Sequence, residues 1–394
     1  MRLFDNVKVN METLNNLELK VSNSQIKLDE SDFNKYTLIK NILNGKIITH
    51  SGQFHTDEIM CVALICIIRD KIKNVDLDIE SNYFSSNIYK VSDDKIRDTV
   101  IRRPRGLDPN NEEDVNLYKT AVVLDIENGH FDHHHKNQSL APRIENGDSE
   151  NDRVASIGAL WQYLGHIFDI EKPNNDVPNM NVYDRIWENF LLPISLQDVY
   201  GPIKFGSPVS QIISNCNGYT DYDYDFIGIR GEDQTFDINA NFVEAVMLAY
   251  KILRAQIIKE QNFISTLYNI FTMDSIELIG GDVPRVELKP VPEGSKEPRI
   301  NLECLRYVTI DKVNKALLLV NRNKSERDGS YRVICVDSEY AHLDKTLLEN
   351  PAHGQVFVHP ALFMATFETL ENVDDFLSKL RFDEENHVLT YCVE

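Results

Sequence analysis

Two short stretches hold most of the side chains in this chain that could bind a metal ion or move a proton. "THSGQFHTDE" (49–58) presents His50, His55 and Asp57, and "DIENGHFDHHHKN" (125–137) packs two aspartates and four histidines into thirteen positions. Within the second, Asp125 begins the stretch and Asp132, His133 and His134 follow in a row. Imidazole nitrogen together with carboxylate oxygen suits Mn²⁺, Zn²⁺ or Fe²⁺ better than Ca²⁺ or Mg²⁺, which prefer shells of oxygen. Each group taken singly has an ordinary reading. A histidine beside a strand is usually a surface or core residue, an aspartate after a strand often caps the next helix, and a histidine run in a loop can simply scavenge metal. Several such clusters, each at the end of an expected strand, point instead to a built metal site.

The flanking sequence supplies the elements that would position these groups. "KIITH" (46–50) reads as a buried strand and "DEIMCVALICIIRD" (57–70) as an apolar helix. "DTVIRRP" (98–104) and "KTAVVLDI" (119–126) read as further strands, with "NNEED" (110–114) as a loop or helix start between them. Helical spacing returns over 154–170 and 181–192. Strands alternating with helices predict a mostly parallel, Rossmann-like α/β domain, with its functional residues at the C-terminal strand ends. A long helix is expected from about Asp237 to Phe271, then a turn-rich segment, "GGDVPRVELKPVPEGSKEP". The strands "RYVTI", "ALLLVNRN", "YRVICVD" and "QVFVH", with helices near 342–349 and 371–381, predict a second, smaller α/β domain. The expected division is an N-terminal extension over 1–40, disordered in part, a metal-binding domain over 41–235, a connecting helix over 236–272 and a C-terminal domain over 273–394.

At 394 residues, 42% hydrophobic and 26% charged, the chain has globular proportions. No apolar run of about 18 residues is present, so no spanning helix and no membrane partner are expected. The N-terminus, which has acidic residues and no apolar core, resembles neither a secretory signal nor an arginine-rich transit peptide. The six cysteines are scattered with no C-x-x-C pair, which fits a reducing intracellular compartment, the cytoplasm first, with nucleus and mitochondrion open. A net charge of −21 argues against an extended grip on a nucleic acid duplex, because that grip depends on displacing counterions with Lys and Arg. A nucleotide, a pyrophosphate or a short nucleic acid end held through metal ions stays compatible.

The same residues carry a family resemblance. "THSGQFHTDE" is similar to the T-H-N-G-x-F-H-x-D-(D/E) signature of the MYG1 exonuclease family, and "VLDIENGHFDHHHKN" resembles its D-V-G…(Y/F)-D-H-H segment, within the wider DHH phosphoesterase superfamily. "VASIGALWQYLG" and the C-terminal "RVIC" and "VFVH" extend the likeness over roughly residues 46–381. The resemblance implies a metal-dependent 3′–5′ RNA exonuclease. It implies two divalent ions, Mn²⁺ first with Mg²⁺, Zn²⁺ or Fe²⁺ as alternatives, held by His50, His55, Asp57, Asp125, His133 and Asp198, with Asp125 bridging. Two ions about 3.5–4 Å apart would turn water into a nucleophile and stabilise both oxygens of an in-line displacement. His134 would face the scissile phosphate and Asp132 would orient the histidines. Lys136 would offset phosphoryl charge, Arg103 and Arg105 ("RRPR") would bind a second phosphate, and His359 would contact substrate.

The chain also departs from the family pattern. Where the fourth motif resembles E-V-D-A-x-D-N-G, this chain has "PISLQDVYG", with Ser195 at the place of the first aspartate and Asp198 as the remaining acid. "FVHPALFMATFETLE" keeps His359, Phe363, Thr369 and Glu371 but puts Leu362, Ala365 and Thr366 at glycine positions, where a Cβ should obstruct a substrate phosphate. Glu368 replaces a base, and the loop from Asp125 to Asp132 is short. The expected function is therefore a two-metal phosphodiesterase acting on an RNA 3′ end or short oligonucleotide. A hydrolase of pyrophosphate or short dinucleotides is the first alternative, and a metal-binding protein without catalysis the second. Self-association is left open.

Overall fold

Ile47, Ile48 and Thr49 are buried in succession, as in a strand covered on both faces. They form the centre of β1 (Lys46–His50), which lies between β2 (Val100–Arg103) and β3 (Ala121–Val123) in a wholly parallel sheet. The register sets His50 opposite Arg103 and Ile48 opposite Val123, so the three C-terminal strand ends lie side by side. The computed structural model describes residues 37–71, 74–75, 84–85, 91–134, 153–167, 181–218, 238–292, 300–310, 314–326 and 328–392. Of the expected N-terminal extension over 1–40, only the last four residues fall within that set, where they begin α1 (Thr37–Asn44).

After β1 the chain turns into α2 (Thr56–Lys71), whose residues Ile59 to Ile68 are all buried. A helix apolar on every side belongs inside a domain, and α2 packs against α5 (Ser156–Ile167) and α7 (Leu192–Tyr200). Its buried Arg69 donates from Nε to Ile42 O at 2.7 Å and from Nη2 to Asn41 O at 2.9 Å, satisfying the carbonyls that end α1. Before α5 come α3 (Asp93–Thr99) and α4 (Glu112–Thr120), the latter capped by Asn111. The helix α4 runs to Thr120, so the expected strand over 119–126 is shorter, only Ala121–Val123, and Asp125 stands beyond its end. The helix α6 (Val182–Ile186) continues through a π-helical turn, Trp187–Leu191, in which Leu192 N–H donates to Trp187 O, and then into α7. Pro193 explains the wider turn, since it has no N–H for the carbonyl four residues back.

The described residues divide into two compact units, one within 37–261 and the other within 262–392. The helix α9 (Ile238–Thr272), which follows α8 (Pro208–Asn215), is shared by both. The second unit is also α/β. Its six-stranded sheet comprises β4 (Ile276–Ile279), β5 (Arg285–Leu288), β6 (Leu318–Asn321), β7 (Tyr331–Cys335), β8 (Gln355–Val358) and β9 (Met364–Phe367), in the order β8-β9-β7-β6-β5-β4. All pairs are antiparallel except β5–β6. The segment read as turn-rich thus contains β5. Proline and glycine on both sides hide a strand whose Glu287 is neutralised by Arg285, 2.7 Å away, and by Arg322. "RYVTI" contributes only Thr309–Ile310 as strand.

Candidate metal centre

Three backbone features bring distant residues to the open ends of β1 and β3. The first is the turn between β1 and α2. His50 ends the strand, and His55 is the N-cap of α2, with Ile59 N–H donating to His55 O at 3.3 Å. Asp57 then lies in the first helical turn, fully buried.

The second is the tight return after β3. His130 N–H and Phe131 N–H both donate to Val123 O, at 3.0 and 3.3 Å, and Gly129 N–H donates to Ile126 O at 2.8 Å. A Cβ on Gly129 would stand 2.8 Å from Ile126 O, so this turn requires glycine. Asp125 adopts φ +46°, a left-handed conformation that aspartate tolerates better than most residues. The third is the packing of α5 against α7. The buried Ser195 Oγ accepts from Ala155 N–H at 2.8 Å, and this fixes Ser156, whose N–H donates to Asp57 Oδ2 at 3.2 Å. Ser195 therefore supports the centre from below and does not reach it as an acid would.

Among the described residues, three groups bring ligand atoms within 4.8 Å of one another: His50, His55 and Asp125; Asp125, His133 and His134; and His55, Asp57 and Asp198. Asp125 is shared. Its Oδ2 lies 3.4 Å from His50 Nε2 and 3.6 Å from His55 Nδ1, while Oδ1 lies 3.1 Å from His133 Nδ1 and 3.2 Å from His134 Nε2. His133 Nε2 stands 3.0 Å from Asp198 Oδ2. Asp57 and His133 form the buried floor, whereas His55 and His134 have side chains 50% and 53% exposed and mark the open side.

The electrostatics are those of a site built for cations. Burial would lower the His50 pKa, but the Asp125 and Glu58 carboxylates reverse that and hold it at about 10. His133 is pushed up to about 11 in the same way, burial being outweighed by Asp125 and Asp198. Asp125 is held well below the usual carboxylate range, the four surrounding imidazoles overcoming the cost of burial. Asp57 is raised well above its ordinary value by burial and then by Asp125 and Asp198. His50 Nε2, Asp57 Oδ1 and Asp125 Oδ2 are buried, and among the described residues no hydrogen bond is directed at any of them. Such atoms are costly to leave unmatched, and imidazole nitrogens and carboxylate oxygens are the atoms that ligate divalent metals. The residues present fit a metal centre.

The other residues singled out in the sequence fall differently. Asp132 accepts from the backbone N–H of His134 at 2.8 Å, so it orients the chain at His134 and not a histidine ring. Arg103 is taken up closely by a carboxylate of the protein, while Arg105 is 60% exposed and more loosely paired. Arg103 Nη2 is 2.7 Å and Arg105 Nη2 3.7 Å from the buried carboxylate of Asp114. Lys136 lies outside the described residues. His359 belongs to the second unit, where its Nδ1 accepts from Ala361 N–H at 3.1 Å and its ring lies 4.1 Å from that of Phe363. Of the positions read as a glycine loop, Ala365 and Thr366 are buried inside β9, paired on both sides, and only Leu362 is in a turn, at φ +60°. A strand interior offers no backbone to a phosphate, so those two substitutions are about packing.

Sequence reading missed Glu58 and Ser156. Glu58 was hidden beside Asp57, and its position three residues past an N-cap was the available signal. Ser156 Oγ, 3.3 Å from His133 Nδ1, donates to Asp125 Oδ1 at 3.5 Å. His130, though part of the histidine-rich stretch, stays out of the centre. It stacks on Tyr118 with ring centroids 3.9 Å apart, and its Nδ1 accepts from Val123 N–H.

The first unit is thus a parallel α/β domain with a histidine and carboxylate centre at its C-terminal strand ends, suited to divalent metal. The chain belongs to the MYG1 exonuclease family, described as an uncharacterised protein family (UPF0160), whose model matches residues 46–272. That span contains every residue of the three ligand groups. No curated protein matches the chain. Among solved structures, the chain is similar to the pGpG-specific phosphodiesterase PggH from Vibrio cholerae, with 10% identity over 85% of this chain and 97% of that one, at a TM-score of 0.24. Among the described residues no helix is long and apolar enough to cross a membrane.

Proposed function

We propose that this protein is a two-metal phosphodiesterase that hydrolyses an RNA 3′ end or a short oligonucleotide. The observation that supports it best is the sharing of Asp125 between two ligand groups, with His50 Nε2, Asp57 Oδ1 and Asp125 Oδ2 buried and unmatched. Two divalent ions, Mn²⁺ first, would supply water acidified to near neutral pKa and neutralise phosphoryl oxygens. His50, His55 and Asp125 would hold one ion, and Asp125 with His133, Asp57 and Asp198 the other. His134, at the open side, would meet a phosphoryl oxygen and offset the charge that grows there. Asp132 keeps His134 in place through its backbone N–H. Ser156 keeps Asp57 and Asp125 in place, and the buried floor excludes bulk water from that side.

The close engagement of Arg103 by Asp114 favours a second reading, a smaller substrate such as pyrophosphate or a dinucleotide, because it weakens the expected grip on a second phosphate. Mn²⁺-dependent assays on a short RNA, pyrophosphate and a linear dinucleotide, with Asp125→Ala as control, test both. Release of mononucleotides from RNA, lost in the variant, is the expected result. Turnover of only the small substrates would favour the second reading, and full metal occupancy without any turnover would end both.

A further inference from the structure

A cavity of about 360 Å³ opens beside the edge strand β2, lined by residues of α3, β2 and the first turns of α9. None of its lining residues belongs to the three ligand groups of the metal centre. Ile96, Val100, Phe242 and Val243 give it an apolar wall, and its charged lining is Arg97 and Arg102, without a carboxylate. In a chain of net charge −21 such a lining selects for an anion. Arg102, half-buried, is built into place. Its guanidinium lies 4.5 Å over the Phe242 ring and donates to His50 O at 3.2 Å, Gly52 O at 2.7 Å and Asn239 Oδ1 at 3.2 Å. Those bonds go to neutral oxygens and use three of the five guanidinium N–H groups. Among the described residues no carboxylate pairs with Arg102, and burial pushes its pKa down. Arg97, exposed in the last turn of α3, likewise makes no ion pair among the described residues.

Two guanidinium groups beside an apolar wall suit an anion that carries a flat, weakly polar group. Guanidinium forks pair with phosphate oxygens, and their planes stack on nucleobases. Ligand sites run to roughly 300–1,000 Å³, so this one is at the small end and fits one nucleotide, not a strand. We infer that the cavity binds a nucleoside monophosphate, its phosphate at Arg97 and Arg102 and its base against Ile96, Val100 and Val243. A guanidinium matched only by neutral oxygens then gains its counter-ion. Because Arg102 also holds the carbonyls of His50 and Gly52, the ligand sits beside the turn that delivers His50 to the centre. The inference does not depend on metal being held there.

Calorimetry on the full chain, as purified and again with a chelator, tests this with adenosine 5′-monophosphate, adenosine and inorganic phosphate as probes. The chelator removes any phosphate held through an ion at the centre. The nucleotide is expected to bind in both conditions, at least about tenfold more tightly than adenosine or phosphate alone. Arg97→Ala, at an exposed position without an ion pair, should weaken the nucleotide about tenfold while leaving adenosine binding and thermal unfolding unchanged. Val100→Phe, which fills the cavity from its apolar wall, should weaken nucleotide and adenosine together. Equal nucleotide affinity in the wild type and Arg97→Ala would put the ligand elsewhere and overturn the inference. Phosphate bound as tightly as the nucleotide would reduce the cavity to a plain anion site, and this also overturns it. So does a wild type that binds no nucleotide once the chelator is present. Should Arg97→Ala not fold, Arg97→Gln carries the same test. Nucleotide binding that passes these tests stands whether or not the chain cleaves RNA, so failure of the proposed activity is read separately.

Discussion

Glu260 and Asp125 are both buried carboxylates of the first unit, and their surroundings differ in kind. Glu260 accepts from Arg185 Nε at 2.6 Å through one oxygen and from Gln256 Nε2 at 2.8 Å through the other. Its charge is matched within the protein, and no side-chain atom of the pair is left unmatched. Asp125 has four imidazoles within 3.6 Å yet keeps a buried oxygen with no hydrogen bond directed at it, next to other carboxylates. The first arrangement is closed and holds the fold together. The second is incomplete without a cation, and that incompleteness, more than the number of acids, separates a ligand site from an internal ion pair.

The largest effect should come from the open cluster. Asp125→Ala is expected to abolish metal binding at both groups, so elemental analysis of the purified variant should find no bound ion while the wild type carries two. Retention of full metal by that variant would erase the distinction. The closed cluster should behave in the opposite way. Glu260→Ala leaves Arg185 buried without its carboxylate and should cost about 3–5 kcal/mol of stability in chemical unfolding, with metal per folded molecule unchanged.

His130 sharpens the comparison, since it belongs to the histidine-rich stretch but is matched like Glu260. Burial pushes its pKa down to about 3, against about 6.5 in an unfolded chain. Between those values the unfolded state binds a proton that the folded state does not, so the contribution of His130 to stability falls as pH drops through that window. The residue as a whole is only partly buried, so the loss between pH 7 and pH 5 should be on the order of 1–2 kcal/mol. Urea unfolding of the metal-free wild type and of His130→Asn at the two pH values isolates it as the difference between them, because His50 and His133, held at about 10 and 11, shift the total the other way. The smallest effect is expected at Asp57. Burial and the neighbouring Asp125 and Asp198 raise its pKa, so its charge weighs against the fold. Asp57→Asn should raise the melting temperature of the metal-free protein, by the equivalent of about 1 kcal/mol, while weakening metal binding. A lowered melting temperature would show that Asp57 is matched after all.

Much of this arrangement could be read from the chain because its chemistry is concentrated in rare residue types. His50, Asp57, Asp125 and His133 each follow an apolar run, and a parallel sheet collects such ends on one edge. Partners made in three dimensions were not legible. Nothing in "RRPR" shows that Asp114, in the next helix, will take up Arg103 and Arg105. A glutamate after an aspartate at a helix start reads only as a cap. Ala365 and Thr366 looked like loop residues because the turn at Leu362 precedes them, and the strand that contains them is defined by neighbours on both sides. The strand Arg285–Leu288 was lost for a similar reason, being short, charged and bracketed by prolines.

The left-handed backbone at Asp125 narrows what evolution can put there. Glycine or asparagine would sit in that turn with ease and bring no charge, whereas glutamate would bring the charge on a backbone it adopts reluctantly. Only aspartate meets both demands. A descendant that had abandoned its chemistry could therefore drift at this one codon to asparagine and keep its shape, which makes that substitution both the simplest route to an inert twin and the fairest control for the living form.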